Sequence, residues 1–408
     1  MDLSLTQQIL LSGFLIAVVI GAVANKTNFC TMGAVSDWVN INDTGRIRSW
    51  LFAMAVAMAG VLAMGMFGVM DLGITADGAK TFPPYRTPNF AWPQYVLGGL
   101  LFGIGMTLGS GCGNKTLVRI GGGNLKSVVV LVFLAIGAYL MMFNITTQKL
   151  LLVPLQPATI NLAGWGAPDQ SVGGIIGAFT GLPAATLNYV IGALVVLGLL
   201  YLVFKSRDFR KRSNNILGGA VIGLGVVGGW YVTAGPLGQK WMEELAFAVQ
   251  APVKHAAAQS YTFVSPGGDL ARWLTGGLGA DLLSFGLMAL AGVIVGSFLW
   301  ALVSRTFRVE WFASWRDAVS HIIGGFLMGI GGVMGMGCTI GQGVTGVSTL
   351  ALGSGLTFVF IVVGAALTMK VQYYKLVYED EATFPKALAA GLADFKLLPA
   401  GWRQLEAL

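Results

Sequence analysis

Three short stretches of the sequence combine a cysteine with glycines and hydrogen-bonding side chains. They read KTNFCTMG around Cys30, GSGCGNK around Cys112 and GMGCTIG around Cys338, and the chain contains only 3 cysteines. Each stretch closes a long apolar run. A thiol is a weak hydrogen-bond donor and a polarisable acceptor. These loops therefore predict a ligand that exposes a soft atom such as sulfur, because a ligand that exposes only oxygen prefers harder donors.

The residues around the thiols favour a small anion. Backbone N–H groups in tight glycine loops form anion-binding nests, and a helix that follows such a loop presents its positive N-terminal end. Side chains add further donors, and none of the three stretches contains a carboxylate. The candidate anion-binding residues are Lys26, Thr31, Gly111, Gly113, Asn114, Lys115, Gly337, Thr339 and Gln342.

Other roles for the cysteines remain open on the residues alone. They include small apolar fillers of membrane helices, thiolates of a metal site and redox-active groups. A metal site would lack a nearby fourth ligand, since His255 and His321 are the 2 histidines of the chain. An odd number of cysteines also argues against a disulfide framework. We expect no metal, no cofactor and no catalytic residue.

The composition is that of a polytopic membrane protein. Of the 408 residues, 55% are hydrophobic and 11% are charged, whereas soluble domains carry about 25% charged residues. Several apolar runs reach the length of about 18 residues that crosses a bilayer. The net charge of +7 does not indicate nucleic acid, because bacterial-type membrane proteins keep Lys and Arg on the cytoplasmic side.

The pattern predicts an all-α fold with about nine membrane segments. They lie near residues 8–26, 48–70, 93–111, 126–146, 184–204, 216–234, 281–304, 319–338 and 346–369. Basic residues cluster at 205–212 and 305–316. If both clusters are cytoplasmic, the N-terminus is periplasmic and the C-terminus is cytoplasmic.

An internal repeat predicts two halves of opposite orientation. LGGLLFGIGMTLGSGC (97–112) matches IGGFLMGIGGVMGMGC (323–338), with a cysteine nine residues after the third glycine in both. Inverted repeats build transporters whose binding site lies near the bilayer midplane. We expect broken or re-entrant helices that bring the cysteine loops to the centre from opposite faces.

The expected organisation is one transmembrane domain with a short tail. The transmembrane domain covers 1–369, with halves of about 1–183 and 216–369, a linker helix at 184–204 and an extracytoplasmic insert at 237–280 that contains surface amphipathic helices. A polar cytoplasmic tail covers 370–408.

Three motifs resemble those of the YeeE/YedE sulfur-transport family of membrane proteins. They are KTNFCTMGAVSD (26–37), GSGCGNKTLVRIGGGNLKS (109–127), and SRTFRVE (304–310) followed by GGFLMGIGGVMGMGCTIGQG (324–343). The resemblance implies uptake of thiosulfate or a related sulfur anion across the bacterial inner membrane. It also implies a central path in which Cys30, Cys112 and Cys338 pass the anion along by S–H hydrogen bonds.

The resemblance also suggests a partner and leaves alternatives. A cytoplasmic sulfur-carrier protein of the TusA type often works beside such transporters. Some relatives are linked to selenium metabolism, so a selenium or other sulfur species is an alternative substrate. A membrane thiol enzyme that processes a sulfur donor is an alternative to a transporter.

Overall fold

The fold consists of helices. The computed structural model describes residues 3–246, 256–279, 282–403 and 405. The first half of the chain contains α1 (Leu5–Lys26), α2 (Thr31–Ile41), α3 (Gly45–Met66), α4 (Trp92–Leu108), α5 (Gly113–Gly121), α6 (Leu125–Phe143), α7 (Ile145–Leu151), α8 (Val172–Thr180), α9 (Ala184–Phe204) and α10 (Arg207–Lys211). The second half contains α11 (Ser213–Ala234), α12 (Pro236–Ala246), α13 (Ser265–Thr275), α14 (Phe285–Val303), α15 (Trp315–Met334), α16 (Leu352–Val377) and α17 (Phe384–Asp394). Two short antiparallel strands, β1 (Asn89–Phe90) and β2 (Ile160–Asn161), pair with each other.

Nine spans among the described residues are long and apolar enough to cross a membrane. They are α1 with α2, α3, α4 with α5, α6, α9, α11, α14, α15 and α16. The prediction of an all-α polytopic membrane protein is therefore confirmed. Only 22% of the most apolar stretch of α9 is buried, whereas 61% of the corresponding stretch of α4 and α5 is buried. The span α9 thus lies at the periphery, and the helices that carry Cys112 lie at the centre.

Glycines allow α4 and α15 to cross at the centre of the molecule. A methyl group on Gly98, early in α4, would lie 2.4 Å from the backbone nitrogen of Gly335, just after α15. A methyl group on Gly324, at the middle of α15, would lie 2.4 Å from the nitrogen of Gly109, just after α4. The contacts therefore move back along α15 as the chain advances along α4, so the two helices run antiparallel.

The packing around this crossing is repeated. A methyl group on Gly103 of α4 would lie 2.2 Å from the Ile361 carbonyl of α16, and one on Gly329 of α15 would lie 2.3 Å from the Leu134 carbonyl of α6. In the same way α1 packs on α14, and α3 packs on α11. Such matched helix pairs are expected of two halves with opposite orientation.

The region after α11 is only partly at the surface. In the insert 237–280, where the sequence predicts amphipathic surface helices, α12 buries Trp241 and exposes most of its other residues. Residues 247–255, including His255, lie outside the described part of the chain. Residues 257–264 instead enter the interior, where Tyr261 and Val264 are fully buried. The Tyr261 hydroxyl donates a hydrogen bond to the Gly13 carbonyl at 2.7 Å.

The C-terminal segment is more ordered than its polar composition indicated. The last span, α16, continues to Val377 rather than ending near 369. The short helix α17 then packs Ala387 and Ala390 against Tyr374. The Tyr374 hydroxyl donates a hydrogen bond to Asp394 at 3.0 Å. Part of the predicted tail therefore folds back onto the end of the last span.

Candidate functional site

Two of the cysteines follow breaks in central helices. The residue two positions before each thiol has a left-handed backbone, with φ of 58° at Ser110 and 60° at Met336. The next N–H, from Gly111 or Gly337, then turns back to hydrogen-bond the carbonyl of the residue five positions earlier. These turns end α4 and α15 inside the protein. They leave Cys112 and Cys338 1% and 0% exposed.

Each thiol lies at the N-terminus of a new helical segment, where it takes the position of a capping residue. The N–H of Gly33 donates to the Cys30 sulfur at 3.4 Å, and the N–H of Gly341 donates to the Cys338 sulfur at the same distance. Cys112 makes no such capping bond to α5, and its sulfur accepts a hydrogen bond from the Thr31 hydroxyl at 3.9 Å instead. Each sulfur therefore accepts a hydrogen bond from the protein, and its S–H proton is the donor that it can offer.

The three thiols lie close together. The side chains of Cys30 and Cys112 lie within interaction range of each other, and Cys338 lies within electrostatic range of Cys112. Threonine hydroxyls adjoin the sulfurs: Thr31 Oγ1 lies 3.9 Å from Cys112 Sγ, and Thr262 Oγ1 lies 3.9 Å from Cys338 Sγ. The structure thus places the three cysteine loops around one buried polar cluster.

Several buried polar atoms in the described part of this cluster have no hydrogen-bond partner. They are Asn114 Oδ1, Thr339 Oγ1, Gln342 Oε1 and Tyr85 Oη. The first three lie within four residues of a cysteine in the sequence, and Tyr85 lies within electrostatic range of Cys338. An unpaired buried polar atom costs about 1–3 kcal/mol. A cluster of them at one place indicates a site that a polar ligand or water occupies.

Cationic side chains lie on one side of the thiols. Lys115 Nζ hydrogen-bonds Asn28 Oδ1 and lies within electrostatic range of Cys30 and Cys112. Arg46 forms an ion pair with Asp37. Arg119 donates to the Ser110 carbonyl at 2.6 Å. All of these lie beyond the end of α1, away from the N-terminus, so the positive charges are concentrated on that side.

A cavity approaches the thiols from the opposite side. Its volume is about 470 Å³, and it extends from Thr6 and Leu10, near the start of α1, to Met336 and Gly337, which precede Cys338. The charged side chains among its described lining residues are Asp269 and Arg272. Burial raises the pKa of Asp269 to about 6, although Ser284 and Arg272 oppose this shift. The charge of the cavity lining therefore changes as Asp269 titrates near pH 6.

The family profile described as sulphur transport matches residues 26–367, which include all three cysteine loops. The chain belongs to the sulphur-transport family. Two curated relatives from this comparison are similar over most of their length. The thiosulfate transporter TsuA of Escherichia coli is 24% identical over 367 residues, covering 87% of this chain and 92% of the relative. The thiosulfate transporter TsuA of Spirochaeta thermophila is 25% identical over 361 residues, covering 86% and 96%.

Most of the residues predicted for the site in this family member lie in the buried cluster. These are Cys30, Thr31, Gly111, Cys112, Gly113, Asn114, Gly337, Cys338, Thr339 and Gln342, all of which are buried. Lys115 is partly buried beside them. Lys26 lies elsewhere: it is exposed, and its ammonium group lies 5.1 Å from the Trp300 ring centroid. No direct contact of Lys26 with the thiols is observed in the described structure.

Two residues outside the three cysteine stretches also contribute to the cluster. Thr262 reaches Cys338 from the segment after α12, and Tyr85 reaches the same region from the connection between α3 and α4. Tyr85 carries no sequence signal that distinguishes it from other tyrosines. Thr262 does, because the stretch TFVSPG (262–267) is similar to NFCTMG (28–33) at the Cys30 loop.

Proposed function

We propose that this protein transports thiosulfate, or a closely related sulfur anion, along a path lined by Cys30, Cys112 and Cys338. The observation that carries the proposal is that each buried sulfur accepts a hydrogen bond from the protein, from the Gly33 N–H, the Gly341 N–H or the Thr31 hydroxyl. Its S–H group is then the donor left for the ligand. A terminal sulfur atom is polarisable and carries negative charge in thiosulfate, so it is a suitable acceptor for a thiol.

Selectivity follows from the kind of donor. Sulfate exposes only oxygen atoms, which bind best to strong N–H and O–H donors and to cations. The proposed path offers such groups beside the thiols, from Asn114, Thr339 and Gln342. Thiosulfate can use both kinds of donor at once, since it has oxygen atoms at one end and sulfur at the other. We therefore expect the path to accept thiosulfate in preference to sulfate.

The route across the membrane follows from the cavity and the charges. The anion enters the cavity that contains Arg272, passes Cys338, reaches Cys112 and Cys30, and leaves beside Lys115 and Arg46. The cations near the exit raise the local anion concentration. The positive-inside rule places that exit in the cytoplasm of a bacterial inner membrane, with the N-terminus periplasmic and the C-terminus cytoplasmic. A TusA-type sulfur carrier there would receive the product of uptake.

The direct test is uptake of radiolabelled thiosulfate into proteoliposomes that contain the purified protein. We expect uptake that unlabelled thiosulfate inhibits strongly, whereas sulfate inhibits it weakly. Strong inhibition by selenite would instead favour a selenium substrate. Release of sulfite from thiosulfate by the purified protein would favour a membrane thiol enzyme.

Single cysteine variants test the path itself. Cys112→Ala and Cys338→Ala should abolish thiosulfate uptake and thiosulfate-supported growth while the protein still reaches the membrane. Val196→Ala is a matched control, because Val196 is buried in the peripheral cluster of α3 and α9, away from the thiols. Normal uptake by every single Cys→Ala variant would contradict the thiol path.

A further inference from the structure

The second half of the chain contains a counterpart of the Cys30 loop that lacks the thiol. NFCTMG (28–33) and TFVSPG (262–267) share an aromatic residue, a hydroxyl residue two positions later and a glycine two positions after that. Each stretch leads into an 11-residue helix, α2 or α13. In this alignment Val264 takes the place of Cys30.

The packing supports this equivalence. Helix α2 packs on α3 and α16, whereas α13 packs on α14 and α6. The crossing of α4 and α15 makes these two helices equivalent, so α16, which packs on α4, is equivalent to α6, which packs on α15. In the same way the pairs α1–α14 and α11–α3 make α3 equivalent to α14. The same symmetry relates Cys112 to Cys338. The counterpart of the Cys30–Cys112 pair is therefore the Val264–Cys338 pair.

Contacts place Val264 beside the thiol cluster. Its side chain is fully buried, and a methyl group on Gly332 would lie 2.7 Å from Val264 Cγ2. The preceding residue, Phe263, lies against Gly113, where an added methyl group would be 3.5 Å from the Phe263 carbonyl. At this helix start the N–H of Gly267 bonds the Val264 carbonyl at 2.8 Å instead of a side chain.

We propose that Cys30, Cys112, Cys338 and Val264 form a ring of four helix starts. The absence of a thiol at Val264 then sets the anion affinity of the part of the ring nearest the cavity, which we call the outer station. The outer station consists of Cys338 and Val264, and the inner station consists of Cys30 and Cys112. The outer station follows Met336 and Gly337 of the cavity lining, and the inner station lies within electrostatic range of Lys115. This inference rests on the proposed function, because it assigns Val264 as a specificity residue of the same path.

Disulfide formation tests the geometry without transport. In a Val264→Cys/Cys30→Ser/Cys112→Ser variant, copper phenanthroline should take two electrons from the thiols at 264 and 338, release two protons and form one S–S bond. Cys338→Ser alone leaves the Cys30–Cys112 pair as the reference. Val203→Cys in the Cys30→Ser/Cys112→Ser background is the negative control, because Val203 is buried in peripheral α9. Unfolded-state labelling with a maleimide polymer counts the free thiols. Failure of the 264–338 pair to form while the reference pair forms would overturn the proposed ring.

Transport kinetics test the functional part. Because a hydrogen bond to a charged ligand strengthens binding, Val264→Cys should lower the KM for thiosulfate by about threefold to tenfold. It should also lower the maximal rate, since a tighter outer station releases the anion more slowly. Val264→Ala, which adds no donor, should not lower KM. Equal KM values for the two variants would refute the role of Val264, whereas absence of thiosulfate uptake by the wild-type protein would refute the proposed function itself.

Discussion

Replacement of Cys112 by serine should reverse the preference for soft anions while it preserves the fold. Cys112 links the three loops: it lies within interaction range of Cys30 and accepts a hydrogen bond from the Thr31 hydroxyl at 3.9 Å. A serine hydroxyl keeps an acceptor for the Thr31 hydroxyl. It replaces a soft donor by a hard one, and the C–O bond is about 0.4 Å shorter than the C–S bond.

The expected magnitude follows from one hydrogen bond. Bonds to charged groups contribute about 1.5–3 kcal/mol, and a weak S–H donor lies at or below the low end of this range. Loss of about 1.4 kcal/mol is a tenfold change in affinity. The KM for thiosulfate should therefore rise by about tenfold in Cys112→Ser. The inhibition constant of sulfate should fall, because the new hydroxyl suits its oxygen atoms.

Cys112→Ala provides the contrast. It leaves the Thr31 hydroxyl without its buried acceptor, and such a loss costs about 1–3 kcal/mol. The alanine variant should therefore lose thermal stability as well as uptake, whereas the serine variant should retain stability. Competition uptake assays and melting of the detergent-purified protein separate the two effects. An unchanged ratio of thiosulfate to sulfate affinity in Cys112→Ser would refute the reasoning.

Further predictions concern the entrance, the exit and the central crossing. Since Asp269 has a pKa of about 6, lowering the pH from 7.5 to 5 neutralises its carboxylate and leaves Arg272 as the net charge of the cavity lining. The KM for thiosulfate should then fall by about fivefold, and Asp269→Asn should show the low KM at both pH values. The same pH dependence of KM in the wild type and in Asp269→Asn would exclude Asp269 as its cause. Lys115→Met should raise KM by about tenfold because a cation near the path is lost, whereas Lys115→Arg should recover most of the affinity in the same assay. Gly98→Ala and Gly324→Ala should each lower stability by about 1–3 kcal/mol, because the added methyl groups clash equally. Gly355→Ala, which has open space around the new methyl group, should melt like the wild type, and a loss as large as that of the other two would argue against the clash.

The sequence predicted those features of the fold that depend on the length of a membrane span or on a repeated motif. Apolar runs of membrane-spanning length predicted the nine spans. The repeated glycines before Cys112 and Cys338 predicted broken helices, because glycine tolerates the close crossing seen at Gly98 and Gly324. The same repeat placed both loops on equivalent elements, which is why their burial in one cluster was predictable.

Other features depended on three-dimensional packing. Lys26 is the last residue of α1, and the rotation of this helix directs its ammonium group to Trp300. Sequence spacing does not determine that rotation. Tyr85 reaches the cluster from a long connection with little regular structure. The segment 257–264 follows an amphipathic helix, so composition favoured the surface. Its burial depends on packing against residues distant in the sequence, as the contact of Thr262 with Cys338 illustrates.

The choice of cysteine at the helix starts argues for a role that helix stability does not explain. Serine, threonine, asparagine and aspartate are the preferred capping residues. Elsewhere in the described structure the chain uses serine for this purpose, at Ser4, Ser171, Ser206, Ser284 and Ser314. At the three central helix starts it uses cysteine, whose sulfur is a weaker acceptor. A serine there would cap the helix at least as well and would fill nearly the same space. What it would lack is a soft, polarisable donor, and this is the property that the proposed path for a sulfur-bearing anion requires of Cys30, Cys112 and Cys338.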